Sequence, residues 1–157
     1  AVNRTSKRFG GAASFLWGIV VTMVRYRDCP VSFAVDGGEP KTVVLNNAWI
    51  ANGRYSGGGM KSAPRAEMDD GLLDLVLIRH TGLPARLRAI FGLRSGSFAR
   101  LSHVEYGRVI SVHVTAATPV PVEVEGELIG TLPATFDVLP ERLAVVAPVR
   151  SAAPASA

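Results

Sequence analysis

Two short acidic groups in this sequence of 157 residues have the types and spacing for chemistry. The first is Val122-Glu123-Val124-Glu125-Gly126-Glu127. In an extended chain its valines fall on one face and its glutamates on the other, which by itself describes a solvated strand face. Glu125 and Glu127, however, flank a glycine. Two carboxylates held close together repel, and that repulsion raises the proton affinity of one and suits it to act as a proton acceptor. The second group is Glu67-Met68-Asp69-Asp70-Gly71-Leu72. A tight acidic turn can bind a hard cation by combining one carboxylate with backbone carbonyls, although a plain Asp-Gly turn has the same residues.

Both groups need rigid support. The acidic turn sits at the end of a glycine-rich stretch, Ala51 to Asp74, with Gly53, Gly57, Gly58, Gly59, Pro64 and Gly71. Glycines in series permit positive φ and close approach, so this stretch is read as a shaped loop. It lands on Leu72-Leu73-Asp74-Leu75-Val76-Leu77-Ile78, an apolar run of the length expected for a buried strand. A loop fixed to a core strand is held rigidly, and that is where function tends to sit.

Around these parts the pattern is mainly β. Val31, Phe33 and Val35 alternate with Ser32, Ala34 and Asp36, Gly37-Gly38 supplies a turn, and Lys41–Asn46 matches, so residues 31–46 read as a hairpin. Further strands are expected over 72–79, Arg108–Thr115, Val120–Glu125, Ala134–Leu139 and Arg142–Ala147. Gly82 and Pro84 precede a short helix, Ala85–Leu93, and residues 95–103 are polar without a clear period. Ala12, Leu16, Ile19, Val20 and Met23 fall at helical spacing, so residues 12–24 read as an amphipathic helix packed on a sheet. Thirteen residues fall short of the about 20 that a membrane-crossing helix needs. Many short strands with one or two flanking helices imply a β-sandwich.

Composition narrows the function. Hydrophobic residues are 48% of the chain, enough for one core without staples. The net charge of +4 allows contact with an anionic surface. The basic residues, among them Arg86, Arg88, Arg94 and Arg100, are not interleaved with aromatics, and no recognition motif appears, so nucleic acid is not an expected partner. The lone Cys29 excludes an internal disulfide and fits a reducing compartment, so the expected location is the cytoplasm, and the basic charge leaves peripheral contact at the inner membrane face open. His80, His103 and His113 are far apart and lack metal-ligand spacing, and no CxxC, HExxH, GxSxG or Walker motif is present.

Taken together, Ala51-Asn52-Gly53-Arg54, Gly57-Gly58-Gly59-Met60, Ala63-Pro64-Arg65-Ala66 and Asp69-Asp70-Gly71-Leu72-Leu73-Asp74 resemble the C-terminal half of the diacylglycerol kinase catalytic family. This is the family of bacterial YegS-like lipid kinases, related to sphingosine and ceramide kinases. Glu125-Gly126-Glu127 stands where the family has Asp-Gly-Glu, Leu143–Pro148 resembles its closing strand, and Asn3–Tyr26 resembles the helix leading in, so the resemblance covers residues 1–149.

That resemblance implies a β-sandwich of the NAD kinase/diacylglycerol kinase C-terminal type over 1–149, with 150–157 a disordered tail. It implies that the ATP-binding domain, with its Gly-Gly-Asp-Gly-Thr motif, lies outside these residues, so the chain alone is expected to be inactive. The implied reaction is phosphorylation of the hydroxyl of diacylglycerol or a related lipid, with Glu127 as the base, Glu125 as its neighbour, and magnesium accompanying ATP. The family's structural magnesium maps to Glu67, Asp70 and Leu72. Glu125 in place of aspartate is a departure that displaces one carboxylate by about a bond length, a scale to which catalysis is sensitive. A non-catalytic lipid- or membrane-binding β module and an NAD-kinase-like enzyme half are the alternatives. Which lipid is phosphorylated, and whether the protein forms a homodimer, stay open.

Overall fold

The computed structural model of the protein describes residues 27–140 and positions 143, 144 and 146. The helix expected over 12–24 and the tail from 150 lie outside the described residues. So does most of the expected strand Arg142–Ala147, of which Leu143, Ala144 and Val146 carry no strand.

The alternation around Val31 and Phe33 forms the expected hairpin. Strand β1 (Cys29–Val35) pairs antiparallel with β2 (Lys41–Ala51), in register from Cys29 opposite Leu45 to Phe33 opposite Lys41. Strand β3 (Leu73–Arg79) lies between β2 and β4 (Val104–Val109), and five consecutive residues, Asp74 to Ile78, are buried. Burial on both faces explains why its sequence is a continuous apolar run and not an alternation. Strand β5 (Ser111–Ala116) pairs with β1, and β8 (Ala134–Asp137) with β5, giving the order β4-β3-β2-β1-β5-β8.

The single strand expected over Arg108–Thr115 is instead two, broken at Ile110. Before the break the chain pairs with β3, and after it with β1. One nearly continuous segment thus joins positions separated by β3, β2 and β1, which requires the sheet to curl round. The inside of the curl is the first core: Val31, Phe33, Leu45, Leu75, Leu77, Val109, Val112 and Val114. Asp36 secures the break. Its Oδ1 accepts the Ile110 and Ser111 amides at 2.8 and 2.9 Å, replacing ladder bonds that a bent strand forfeits.

The outer face carries the second core. Helix α1 (Leu83–Gly92), with proline in its first turn, and a 3₁₀ turn (Ser97–Arg100) pack there through Ala89, Phe98 and Ala99 against Val76 and Ile78. Phe98 is fully buried and meets the Trp49 ring edge-on at 5.6 Å. Asp28 ties α1 to the sheet. Its carboxylate accepts Asn46 Nδ2 at 2.9 Å and Arg86 Nη2 at 2.6 Å, and bonds His80 Nδ1.

Strands β6 (Pro121–Val124) and β7 (Glu127–Thr131) form a separate antiparallel ribbon. The sequence pattern did not indicate β7, because all five of its residues are exposed and no buried face imposes a period. The expected strands Val120–Glu125 and Ala134–Leu139 are present in shortened form, as β6 and β8.

Candidate functional site

The glycine-rich stretch is a loop tied down at many points. Ser56 and Met60 exchange backbone hydrogen bonds of 2.9 and 3.0 Å around Gly57–Gly59, where Gly58 and Gly59 take φ of 68° and 82°. Arg54 Nε donates to the Ala66 carbonyl at 2.7 Å, spanning the loop. The Lys61 amide donates to the Leu93 carbonyl at 2.8 Å, fastening the loop to the end of α1. The Arg65 amide donates to the Tyr106 hydroxyl at 3.1 Å, and Arg108 Nη2 donates to the Arg65 carbonyl at 3.1 Å, fastening it to β4. Ala63 and Ala66 are buried in the second core.

The acidic turn closes this loop. Gly71 adopts φ 75°, a left-handed conformation that glycine enters without steric cost, and the turn brings the Leu72 amide to Asp70 Oδ1 at 2.9 Å. Asp70 Oδ2 lies 3.6 Å from Arg108 Nη1. Of the three residues expected to hold magnesium, Asp70 and Leu72 are thus joined in one turn, and Glu67 lies on its exposed approach. The donor types are those a hard cation takes: Asp70 carries lone pairs beyond the one shared with Leu72, and Glu67 and Leu72 each have a backbone carbonyl. No cluster of three carboxylate, histidine or cysteine side chains occurs among the described residues.

The second acidic group forms the tip of the β6–β7 ribbon. Val124 pairs with Glu127, leaving Glu125 and Gly126 as a two-residue turn with φ of 52° and 89°. Positive φ at both positions is the type I′ signature, which favours Asp-Gly or Asn-Gly, because a short polar side chain tolerates the left-handed region. Glu125 adopts that backbone with a longer side chain. Glu125 and Glu127 are both exposed, so water screens their mutual repulsion. No hydrogen bond or ion pair joins either glutamate to the glycine-rich loop among the described residues. The structure therefore assembles each acidic group separately, on two different elements.

One residue of the site gave only a faint signal in the sequence. Asp74 is fully buried in β3, and its carboxyl group lies beside the Tyr106 hydroxyl. A charge inside an apolar run was the visible sign. Burial, and secondarily the nearby Asp74, push the Tyr106 phenol well above its ordinary value. The Arg65 guanidinium stacks over the same ring, 4.9 Å from its centre.

Comparison with known proteins is consistent with these features. Residues 1–147 match the family described as the YegS C-terminal NAD kinase beta sandwich-like domain. The "Diacylglycerol kinase" of Mycobacterium tuberculosis (strain CDC 1551 / Oshkosh) is 28% identical over 138 residues, which are 88% of this chain and 44% of that protein. The "Probable lipid kinase YegS-like" of Chromohalobacter salexigens is 33% identical over 123 residues, 75% of this chain and 37% of its own length. A crystal structure of a diacylglycerol kinase from Bacillus anthracis str. Sterne overlays 77% of this chain with 44% of its own, at TM-score 0.52 and 18% identity, a likeness of fold. The chain thus spans less than half the length of the relatives it matches. With the family matched across all the strands described above, the chain belongs to the YegS C-terminal NAD kinase beta sandwich-like domain family.

Proposed function

We propose that this domain is the lipid-facing part of an ATP-dependent kinase that phosphorylates the free hydroxyl of diacylglycerol or a related lipid. The observation that carries the reading is the ribbon tip: the Glu125-Gly126 turn holds Glu127 at the first position of β7, exposed and ready to meet a substrate. Relatives named as diacylglycerol kinases and lipid kinases support the choice of reaction.

In this mechanism Glu127 takes the proton of the lipid hydroxyl. The hydroxyl oxygen bonds to the γ-phosphorus of ATP, the bond from that phosphorus to the bridging oxygen breaks, and ADP leaves. ATP is bound by a domain outside these 157 residues. Glu125 adjoins the base and adds negative charge beside it. A magnesium ion would be held by the Asp70 carboxylate with the Glu67 and Leu72 carbonyls, and it would supply charge that fixes the shape of the loop. Arg54, Arg65 and Arg108 hold the loop through the bonds given above. The test is turnover by the full-length protein with ATP and diacylglycerol, compared with Glu127→Gln. Loss of turnover in a folded variant supports the reading, and unchanged turnover refutes it.

A further inference from the structure

Helix α1 departs from an ordinary surface helix in carrying apolar side chains on its outward side as well. Such a helix buries its apolar stripe and shows a polar face to water. Here the inward face is small, with Ala89 and Gly92 buried. Leu83, Leu87 and Phe91, spaced by four, instead line the outward side. Phe91 is 74% exposed and Leu83 42%, while Leu87 is half-buried.

Arginines rim this stripe. Arg88 flanks it on the helix, Arg94 follows just past the helix end, Arg100 lies on the following 3₁₀ turn, and all three are exposed. None of the three takes part in a hydrogen bond or ion pair among the described residues. Arg86, by contrast, is committed to Asp28 and to the Thr81 carbonyl.

We propose that this outward face of α1 docks the protein on an anionic lipid bilayer, with Phe91 and Leu83 entering the headgroup boundary and Arg88, Arg94 and Arg100 meeting lipid phosphates. An exposed apolar stripe between unpaired cations is complementary to such a surface on both counts, and the choice of a bilayer as partner rests on the lipid-kinase reading. The helix has ten residues, too short to cross a bilayer, and no described helix is long and apolar enough to do so. It therefore lies along the surface.

The placement has a consequence for substrate delivery. Lys61 is bonded to Leu93 at the end of α1, and its Nζ sits 6.0 Å from the centre of the exposed Tyr55 ring. Docking α1 brings the glycine-rich loop to the membrane, where a diacylglycerol resides.

The test is sedimentation of the full-length protein with phosphatidylcholine vesicles, with and without phosphatidylglycerol. Binding is expected only with the anionic lipid and should weaken with salt. Phe91→Glu and the double variant Arg88→Glu/Arg94→Glu should each lower partitioning by roughly tenfold or more, since each cation near the surface contributes about a factor of five. Melting temperature and turnover on detergent-dispersed lipid should stay unchanged. Equal binding to neutral vesicles, or variants that bind like the wild type, would overturn the proposal. A fall in melting temperature on Phe91→Glu without loss of binding would also overturn it, showing that protein covers this face. Should Phe91→Glu fail to fold, Leu83→Ser reads the same stripe. Vesicle binding by a protein that phosphorylates no lipid would separate failure of the kinase reading from failure of docking.

Discussion

Asp74 and Arg108 stand directly opposite one another on β3 and β4, yet they do not pair. Arg108 reaches instead to Asp70, 3.6 Å away, and to the Arg65 carbonyl. The cation best placed to neutralise a buried carboxylate is thus used to hold the acidic turn and the loop above it.

A fully buried carboxyl group beside the Tyr106 hydroxyl is sustained by that contact. Asp74→Ala, which leaves the phenol without this neighbour, is accordingly expected to lower stability by about 1–3 kcal/mol. Thermal unfolding checks it, and an unchanged melting temperature would show that the contact contributes nothing.

Tyr106 supplies a pH signature. Its folded phenol ionises well above its ordinary value, because burial and then Asp74 oppose the charged form. The raised value means that its stabilising contribution is whole below the unfolded value of about 10 and is lost as pH climbs past it. Absorbance titration should therefore show one of the three tyrosines ionising last, with alkaline unfolding, and Tyr106→Phe should remove that phase. A last phase that survives the substitution belongs to another residue.

The ribbon tip predicts a small gain. Glu125 holds φ 52° in a turn that prefers aspartate, so Glu125→Asp should relieve part of a left-handed cost of about 1–2 kcal/mol. Amide exchange in β7 should slow about twofold, with turnover of the full-length protein kept or raised. Faster exchange would mean that the longer side chain is itself a support.

How far the sequence revealed all this differs from element to element. Strand β3 was legible because burial on both faces demands an apolar run, and the β1–β2 hairpin because one buried face demands alternation. The break at Ile110 was not legible. Val109 and Val112 both face the same core, and the residue that permits the bend, Asp36, lies 74 positions earlier than Ile110. The exposed β7 offered no pattern at all. Near the glycine-rich loop, the turn at Gly71 could be read because it is local, whereas the strand expected to run through Glu125 ends at Val124. That Asp74 meets Tyr106 and not Arg108 could not be read, since it depends on where Arg108 points.

Magnesium tests the acidic turn. In the full-length protein the ion should raise the melting temperature, and Asp70→Ala should abolish that response and lower activity. Removing the ion with a chelator should reproduce the variant. If neither magnesium nor the substitution moves the melting temperature, Asp70 serves only to accept the Leu72 amide and to approach Arg108.

The most direct measurement is steady-state phosphorylation of diacylglycerol by the full-length protein and its Glu127→Gln variant, with melting temperatures recorded in parallel. Because Glu127 is exposed at the ribbon tip, its amide should leave folding unchanged. Turnover should nevertheless fall by about 10² or more, the scale of losing a general base. Turnover within a factor of about two of the wild type, in an equally stable protein, would contradict the assignment of Glu127 as the base.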